Sequence, residues 1–524
     1  MSTYLNLNQL SHILPDGRRL FSNLNYSFSA QRTGLVGNNG IGKSLLGAMM
    51  AGEVLPTSGA IHHKTSIYYM RQLADPAQQT TVAVLAGVEP ILRALERVSN
   101  GSIDERDYQI VGHHWDCEKE FAFQLEQIGL GYLNSRTPTA QLSGGERQRV
   151  MLLGAFNSNH DYLILDEPSN HLDRRQKQEL ANRIKASKKG LLLISHDREL
   201  LELVDEIVEL RTDGIASYGG GYSDFLQINS MQQQALQVDL YAERTQAKRE
   251  HKAMIVQLER QQRRCSQGGR KAKEGNQAKI ILGAHQERSQ NTTGKMLEQQ
   301  QARRADSLAR IASAQGRCAP VIHHLLLPPE STIATGTQVL QLVDLVLPFG
   351  LSVPLNAIFS GPCRIAVHGE NGSGKSTLLR VIAGKIKPSS GLALTQLNIA
   401  WLDQHAGSEY SDQTLVQCLQ SSNPNMSETE ARTRLAQIGI DAQRTQIKTG
   451  HLSGGEGLKI ALLAKLINDP LPQFLLLDEP SNHLDLESLT ALETMLNQFQ
   501  GALMVVSHDQ KFLDALNLTH TIHL

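Results

Sequence analysis

Residues 34–44 read GLVGNNGIGKS, and residues 366–377 read AVHGENGSGKST. Each joins a short apolar run to the pattern G-x-x-x-x-G-K-[ST]. In such a loop the glycines let successive backbone N–H groups converge on phosphate oxygens, and the helix that follows adds its positive N-terminal end. The first loop consists of Gly37, Asn38, Asn39, Gly40, Ile41, Gly42, Lys43 and Ser44. Lys43 would neutralise β- and γ-phosphates, and Ser44 would hold Mg²⁺ through its hydroxyl. Gly369, Glu370, Asn371, Gly372, Ser373, Gly374, Lys375 and Ser376, followed by Thr377, take the same places in the second loop.

The loops open two copies of one motif series. After the first come RQ (71–72), LSGGERQR (142–149), LILDEPSNHLD (163–173) and LLLISHD (191–197). After the second come DQ (403–404), LSGGEGLK (452–459), LLLDEPSNHLD (475–485) and MVVSHD (504–509). From acidic pair to histidine the spacing is 30 residues in both copies, 166 to 196 and 478 to 508. A repeat this regular points to two domains of one kind. Asp166 and Asp478 end apolar strands and suit a Mg²⁺ role. Glu167 and Glu479 follow them and could orient an attacking water. His196 and His508 end the next apolar strands, where an imidazole can sense a γ-phosphate. Strand, phosphate loop, helix and further buried strands together predict a mostly parallel sheet with helices on both faces.

Composition sets the outer limits. The chain has 524 residues, 40% of them hydrophobic and 20% charged, as in an ordinary globular protein of several domains. No apolar run approaches the roughly 18 residues that span a bilayer. The opening MSTYLNLNQLSHILPDG lacks the basic-then-apolar layout of a secretory signal, so a cytoplasmic protein is expected. Five scattered cysteines, none spaced as C-x-x-C, exclude a disulfide framework and a zinc-ribbon pattern.

Net charge is −1, which taken alone argues against nucleic acid. Residues 1–230 carry 22 basic and 26 acidic side chains, and residues 319–524 carry 12 and 18. Residues 231–318 between them carry 17 basic and 8 acidic, a net of +9. That middle segment, rich in Gln and Ala, reads as two long helices, with SQGGRKAKEGNQAK between them. The glycines there are expected to break the helix, leaving a hairpin whose tip concentrates Arg270, Lys271, Lys273 and Lys279. A helix of about 35 residues is about 50 Å long, so the hairpin could reach far from the domains it joins. The alternative is a solvated linker that only connects two halves.

LSGGE with the phosphate loop, acidic pair and terminal histidine resembles the ATP-binding cassette superfamily. Two cassettes without a membrane segment, DEPSNHLD in both, and a charged helical linker resemble its ABC-F group. The resemblance spans nearly the whole chain. It implies an α/β protein in which two P-loop ATP-binding cassette domains, 1–226 and 336–524, are joined by a basic α-helical hairpin linker, 227–335. It also implies a monomer whose cassettes sandwich two ATP molecules head to tail. Lys43 and Ser44 would share one nucleotide with Ser453, Gly454 and Gly455. Lys375 and Ser376 would share the other with Ser143, Gly144 and Gly145. Gln72 and Gln404 match the loop that links Mg²⁺ and water to the helical subdomain, and Asp173 and Asp485 match the loop that meets the opposite cassette. Glu167, Glu479, His196, His508, Gln72 and Gln404 would be the catalytic set. Ser44, Ser376, Gln72, Gln404, Asp166 and Asp478 would be the Mg²⁺ set.

The chain departs from the family at three places. Where an adenine-stacking aromatic is usual it has Leu14 and Val346, with Phe349 near the second, which leaves ATP-over-GTP preference open. Gly457-Leu458 stands in the second signature where the first has Arg147-Gln148, a difference expected to slow one site. From Gln72 to Ser143 is 71 residues, against 49 from Gln404 to Ser453, and the excess falls where ABC-F proteins insert an arm that touches the ribosome. A variation of the helical subdomain explains it equally well.

The resemblance and the charge placement favour an ATP-hydrolysing, ribosome-associated translation factor whose linker contacts tRNA or rRNA. One alternative is the energy-coupling subunit of a transporter with a separate membrane partner, which rarely carries such a basic hairpin. The other is a DNA-associated ATPase, which would be expected to carry zinc cysteines or a far longer coiled coil.

Overall fold

A computed structural model describes residues 3–15, 17–29, 31–72, 80–211, 214–274, 302, 305–313, 332–403, 411–440, 444–452, 454–482 and 484–524. The chain divides into two compact units. One comprises Met1–Asp224 with Ile322–Leu524, and the other Phe225–Val321.

The first unit contains both cassettes. Four apolar runs, Tyr162–Asp166, Gly190–Ile194, Phe474–Asp478 and Ala502–Val506, are strands buried at every residue. Strands flanked by helices on both faces read as continuous apolar runs, not as alternation. In the first cassette the strand order is Ile67–Met70, Tyr162–Asp166, Gly190–Ile194, Arg32–Val36, Glu206–Arg211, Gly214–Gly219. All neighbours are parallel except the last pair. The second cassette repeats this with five parallel strands, Ile399–Leu402, Phe474–Asp478, Ala502–Val506, Arg364–His368 and His520–His523. The tandem α/β architecture is as expected.

Each cassette also has a three-stranded antiparallel sheet, centred on Thr3–Ile13 in the first and Gln338–Val346 in the second. Leu5, Leu7 and Leu10 of the first pack with Phe21, Leu46 and Met50, so this sheet covers the helix that follows the phosphate loop. The extra residues of the first cassette form helices Glu89–Ser99 and Glu105–Val111 within its helical part. They are tied by Arg97 to Asp107 at 2.5 Å and by Ser102 to Asp107 at 2.8 Å.

A single helix runs from Tyr222, at the end of the first unit, to Glu274 in the second, 53 residues. At 1.5 Å per residue it is about 80 Å long. The expected break at Gly268-Gly269 does not occur, and Arg270, Lys271 and Lys273 lie inside the helix. Glycine in a helix costs about 1 kcal/mol relative to alanine, too little to stop a helix embedded in Gln, Arg, Lys and Ala. Lys279 lies outside the described residues. Arg310, in the helical stretch 305–313, pairs with Glu243 at 3.2 Å and Glu250 at 3.5 Å, which sets this stretch beside the long helix.

Within the first unit the cassettes meet through buried charge. Arg198 of the first pairs with Glu493 of the second at 2.7 Å, with the side chains only 8% and 12% exposed. Removing one partner of such a pair strands the other charge, whereas replacing both with apolar groups is far better tolerated. Arg198→Met is expected to destabilise the protein by about 3 kcal/mol, and Arg198→Met with Glu493→Met by less than half of that. Urea unfolding of the two variants checks this; equal losses would show that the contact carries no pairing energy.

Candidate nucleotide sites

The phosphate loops owe their shape to glycine. Gly42 and Gly374 cap the helices Lys43–Met50 and Lys375–Ile382 with φ of 102° and 104°, a left-handed conformation that side chains disfavour. Lys43 Nζ donates back to the carbonyls of Gly37 at 2.7 Å and Asn38 at 3.2 Å. Lys375 does the same to Gly369 at 2.8 Å and Glu370 at 2.9 Å. Burial pulls both ammonium pKa values down, against the nearby carboxylates of Glu167 and Glu479. Each is a poorly solvated cation beside open space, which suits a phosphate.

Asp166 and Asp478 end their strands at the loops. The Ser44 hydroxyl hydrogen-bonds Asp166, and that of Ser376 hydrogen-bonds Asp478. Oδ1 of each aspartate is buried with no hydrogen-bond partner. A hydroxyl beside a stranded carboxylate oxygen is the hard-oxygen donor set that Mg²⁺ takes, completed by substrate phosphates and water. Ser44 with Asp166, and Ser376 with Asp478, therefore fit the ion; when bound, it would offset the negative charge of the phosphates.

Glu167 and Glu479 have φ of 47° and 49°, rare for residues other than glycine. Backbone held there costs about 1–3 kcal/mol and is concentrated at functional positions. Each is pinned by its amide, which donates to Ile194 O at 2.8 Å and to Val506 O at 2.9 Å. His196 Nε2 is 3.6 Å from Glu167, and His508 Nε2 is 3.5 Å from Glu479. Burial pushes the Glu479 carboxyl up to about 7, and burial with neighbouring Asp166 pushes Glu167 up as well. Burial and the nearby lysines lower His196 to about 3 and His508 to about 4, so both imidazoles are neutral near pH 7.

Groups of opposite cassettes converge on one cavity of about 1000 Å³. Asp485 Oδ2 accepts from the Asn39 amide at 2.8 Å. Asn371 Nδ2 donates to the His171 carbonyl at 3.1 Å, and its Oδ1 is 3.2 Å from His508 Nε2. Ser143, Gly144 and Gly145 line this cavity together with both phosphate loops, and a Cβ on Gly145 would lie 3.5 Å from Asn371 of the opposite loop. Gln72 lines it too. Asp173 is 7% exposed and acts electrostatically on Lys375. Gln404 and Ser453 lie outside the described residues, while Gly454 and Gly455 begin the helix Gly454–Leu466.

Leu14, Arg18 and Leu20 line the cavity beside the first loop, and Phe349 and Gly350 beside the second. The first position therefore offers aliphatic surface and a guanidinium where an aromatic ring was sought. The signature difference acquires a physical meaning. Gln148 is 2% exposed, and its Nε2 donates to the carbonyls of Pro168 at 2.9 Å and Glu167 at 3.3 Å. It braces the turn that carries Glu167, and Leu458 at the matching position of the second cassette has no donor to do so.

A carboxylate that takes a proton from water must be ionised, and burial makes ionisation harder in both glutamates. Hydrolysis is therefore expected to rise with pH through about 7 to about 8 and level off above that, instead of levelling off near 5 as for an exposed carboxylate. A pH–rate profile that is flat from pH 5.5 to 9 would contradict this assignment.

The family described as ABC transporter matches residues 21–170 and 357–482, one stretch in each cassette. Probable ATP-binding protein YheS of Escherichia coli (strain K12) is 30% identical over 514 residues, which cover 94% of this chain and 74% of that protein. ATP-binding cassette sub-family F member 3 of Mus musculus is 29% identical over 510 residues, covering 92% and 66%. Among solved structures, the archaeal ribosome recycling factor aABCE1, in complex with the ribosomal stalk protein aP1, has a TM-score of 0.60 at 20% identity, covering 97% of this chain and 86% of that one. The RNase-L Inhibitor has a TM-score of 0.59 at 20% identity, with the same coverage. At that identity the two solved structures speak for the fold alone. No helix among the described residues is long and apolar enough to cross a membrane. The paired phosphate loops, the paired acidic turns and the match over both cassettes place the chain in the ATP-binding cassette family, among the ABC-F ATPases.

Proposed function

We propose that this ATPase is a cytoplasmic, monomeric, ribosome-associated translation factor whose basic linker contacts tRNA or rRNA. One observation carries the reading. Tyr222, the first residue of the long helix, is 4% exposed and lies between two cations from opposite cassettes. The Arg198 guanidinium is 5.9 Å from its ring centroid and Lys511 Nζ is 5.5 Å. Arg198 follows His196 by two residues, and Lys511 follows His508 by three. The loops that would sense both γ-phosphates thus grip the root of the helix that leads into the +9 segment.

In this reading the two cassettes share each nucleotide. Lys43 and Lys375 bind phosphate, and Ser143–Gly145 and Ser453–Gly455 close over the nucleotide on the opposite loop. A ligand held by both halves favours the closed state, because only there does it make both sets of contacts. Glu167 and Glu479 orient the water, and His196 and His508 register the γ-phosphate. Loss of that phosphate removes the bridge between halves, and Arg198 and Lys511 separate or shift at Tyr222. The long helix then changes direction at its root. Its Arg and Lys side chains meet nucleic-acid phosphates by displacing counterions, without reading sequence. A transporter subunit would have little use for such a segment.

With Glu167→Gln and Glu479→Gln together, the protein is expected to bind ATP, turn over at a rate at least about 100-fold lower, and co-sediment with ribosomes. Adding Ala at Arg270, Lys271, Lys273 and Lys279 should weaken that binding and flatten its salt dependence. A double-Gln protein that binds ATP yet stays at the top of the gradient would refute the translation reading.

A further inference from the structure

The interface between cassettes is not symmetric. Four residues beyond Asp173 the first cassette has Lys177; four beyond Asp485 the second has Leu489. Both side chains line the shared cavity, on the equivalent helices that Asp173 and Asp485 cap. Lys177 Nζ is 2.9 Å from Asp197 Oδ2, and these side chains are only 16% and 9% exposed. Asp197 is the neighbour of His196 in the first site, whereas Glu479 and Asp509, which also act on Lys177, belong to the second. Burial pulls the Lys177 ammonium down, but Asp197 leads a set of carboxylates that more than offsets this, so the side chain stays charged. At the equivalent position the second cassette has Leu489, which carries no charge.

We propose that Lys177 is a positioning residue for hydrolysis at the second site, delivered by the first cassette and anchored on Asp197. Its ammonium attracts the Glu479 carboxylate and the loop of His508 and Asp509 only while the cassettes are docked. Glu479 lacks the bracing that Gln148 gives Glu167, and Lys177 supplies the missing constraint from the other side. Hydrolysis at the second site therefore depends on docking more strongly than hydrolysis at the first. Because Asp197 adjoins His196, movement in the first site also reaches Glu479 through this ion pair. The proposal rests on the assignment of Glu167 and Glu479 to separate hydrolytic sites.

Single-site proteins make the test. Glu167→Gln leaves only the second site active, and Glu479→Gln only the first. Lys177→Leu, which copies the residue at the equivalent position, is expected to lower kcat about tenfold in the Glu167→Gln protein, with KM for ATP changed less than about twofold. In the Glu479→Gln protein it should lower kcat by less than about twofold. Lys177→Arg should recover most of the loss. A purely structural role, in which Lys177 only neutralises Asp197, would be relieved by adding Asp197→Asn, which keeps the oxygen that caps the helix Arg198–Leu201. Continued slow turnover in Lys177→Leu with Asp197→Asn supports the proposal. Restored turnover, or equal losses at both sites, overturns it. Loss of all turnover in Glu167→Gln alone overturns the two-site assignment, and the proposal with it.

Discussion

The amide of Asn39, in the first phosphate loop, donates to Asp485 of the second cassette at 2.8 Å, and Asn371 of the second loop donates to His171 of the first at 3.1 Å. Through these contacts each loop is tied to the cassette that does not contain it. Glycines, a buried lysine and a helix start make a phosphate cradle, but the cradle is open on one side until the other cassette closes it. Everything else in the first unit serves that requirement. The parallel sheets set Asp166 and Asp478 at strand ends beside the loops. Strained turns fix Glu167 and Glu479 just beyond them, and the histidines follow at the ends of the neighbouring strands.

Closure also has to be felt elsewhere for hydrolysis to do work. Arg198 and Lys511, a few residues past His196 and His508, meet at Tyr222, and Tyr222 begins the 53-residue helix. A cation–π contact contributes on the order of 1–2 kcal/mol when desolvated, enough to bias a helix root and weak enough to be released in each cycle. The two sites are built from one repeat yet braced differently. Gln148 holds the first glutamate from within its own cassette, while Lys177, paired with Asp197 at 2.9 Å, acts electrostatically on the second from the opposite cassette.

The fold was legible because its determinants are local and repeated. Gly37 to Ser44 and Gly369 to Ser376 dictate loop and helix start, and four short apolar runs at matching places in the two copies read as buried strands. Asp166, Glu167, His196 and their counterparts could be placed because each is fixed by position relative to a strand end. Tyr222, Lys177 and Gln148 were not singled out, since their roles depend on contacts between residues far apart in sequence. A comparison of the two copies position by position flags Lys177 against Leu489 and Gln148 against Leu458, but only the fold says what each touches. At Gly268-Gly269 the reading went wrong for the opposite reason. Local propensity pointed to a break, and a long run of good helix formers on either side prevailed.

The most direct test of the central claim, that each site is completed in trans, uses Ser143. In the fold it opens the turn whose Gly145 lies beside Asn371 of the other cassette's phosphate loop, although in sequence it belongs to the copy that holds Lys43. Ser143→Ala should lower ATP turnover at least about tenfold in the Glu167→Gln protein, where only the second site works, and leave turnover in the Glu479→Gln protein within about twofold. The reverse pattern, with the loss confined to the site of Lys43, would contradict the account.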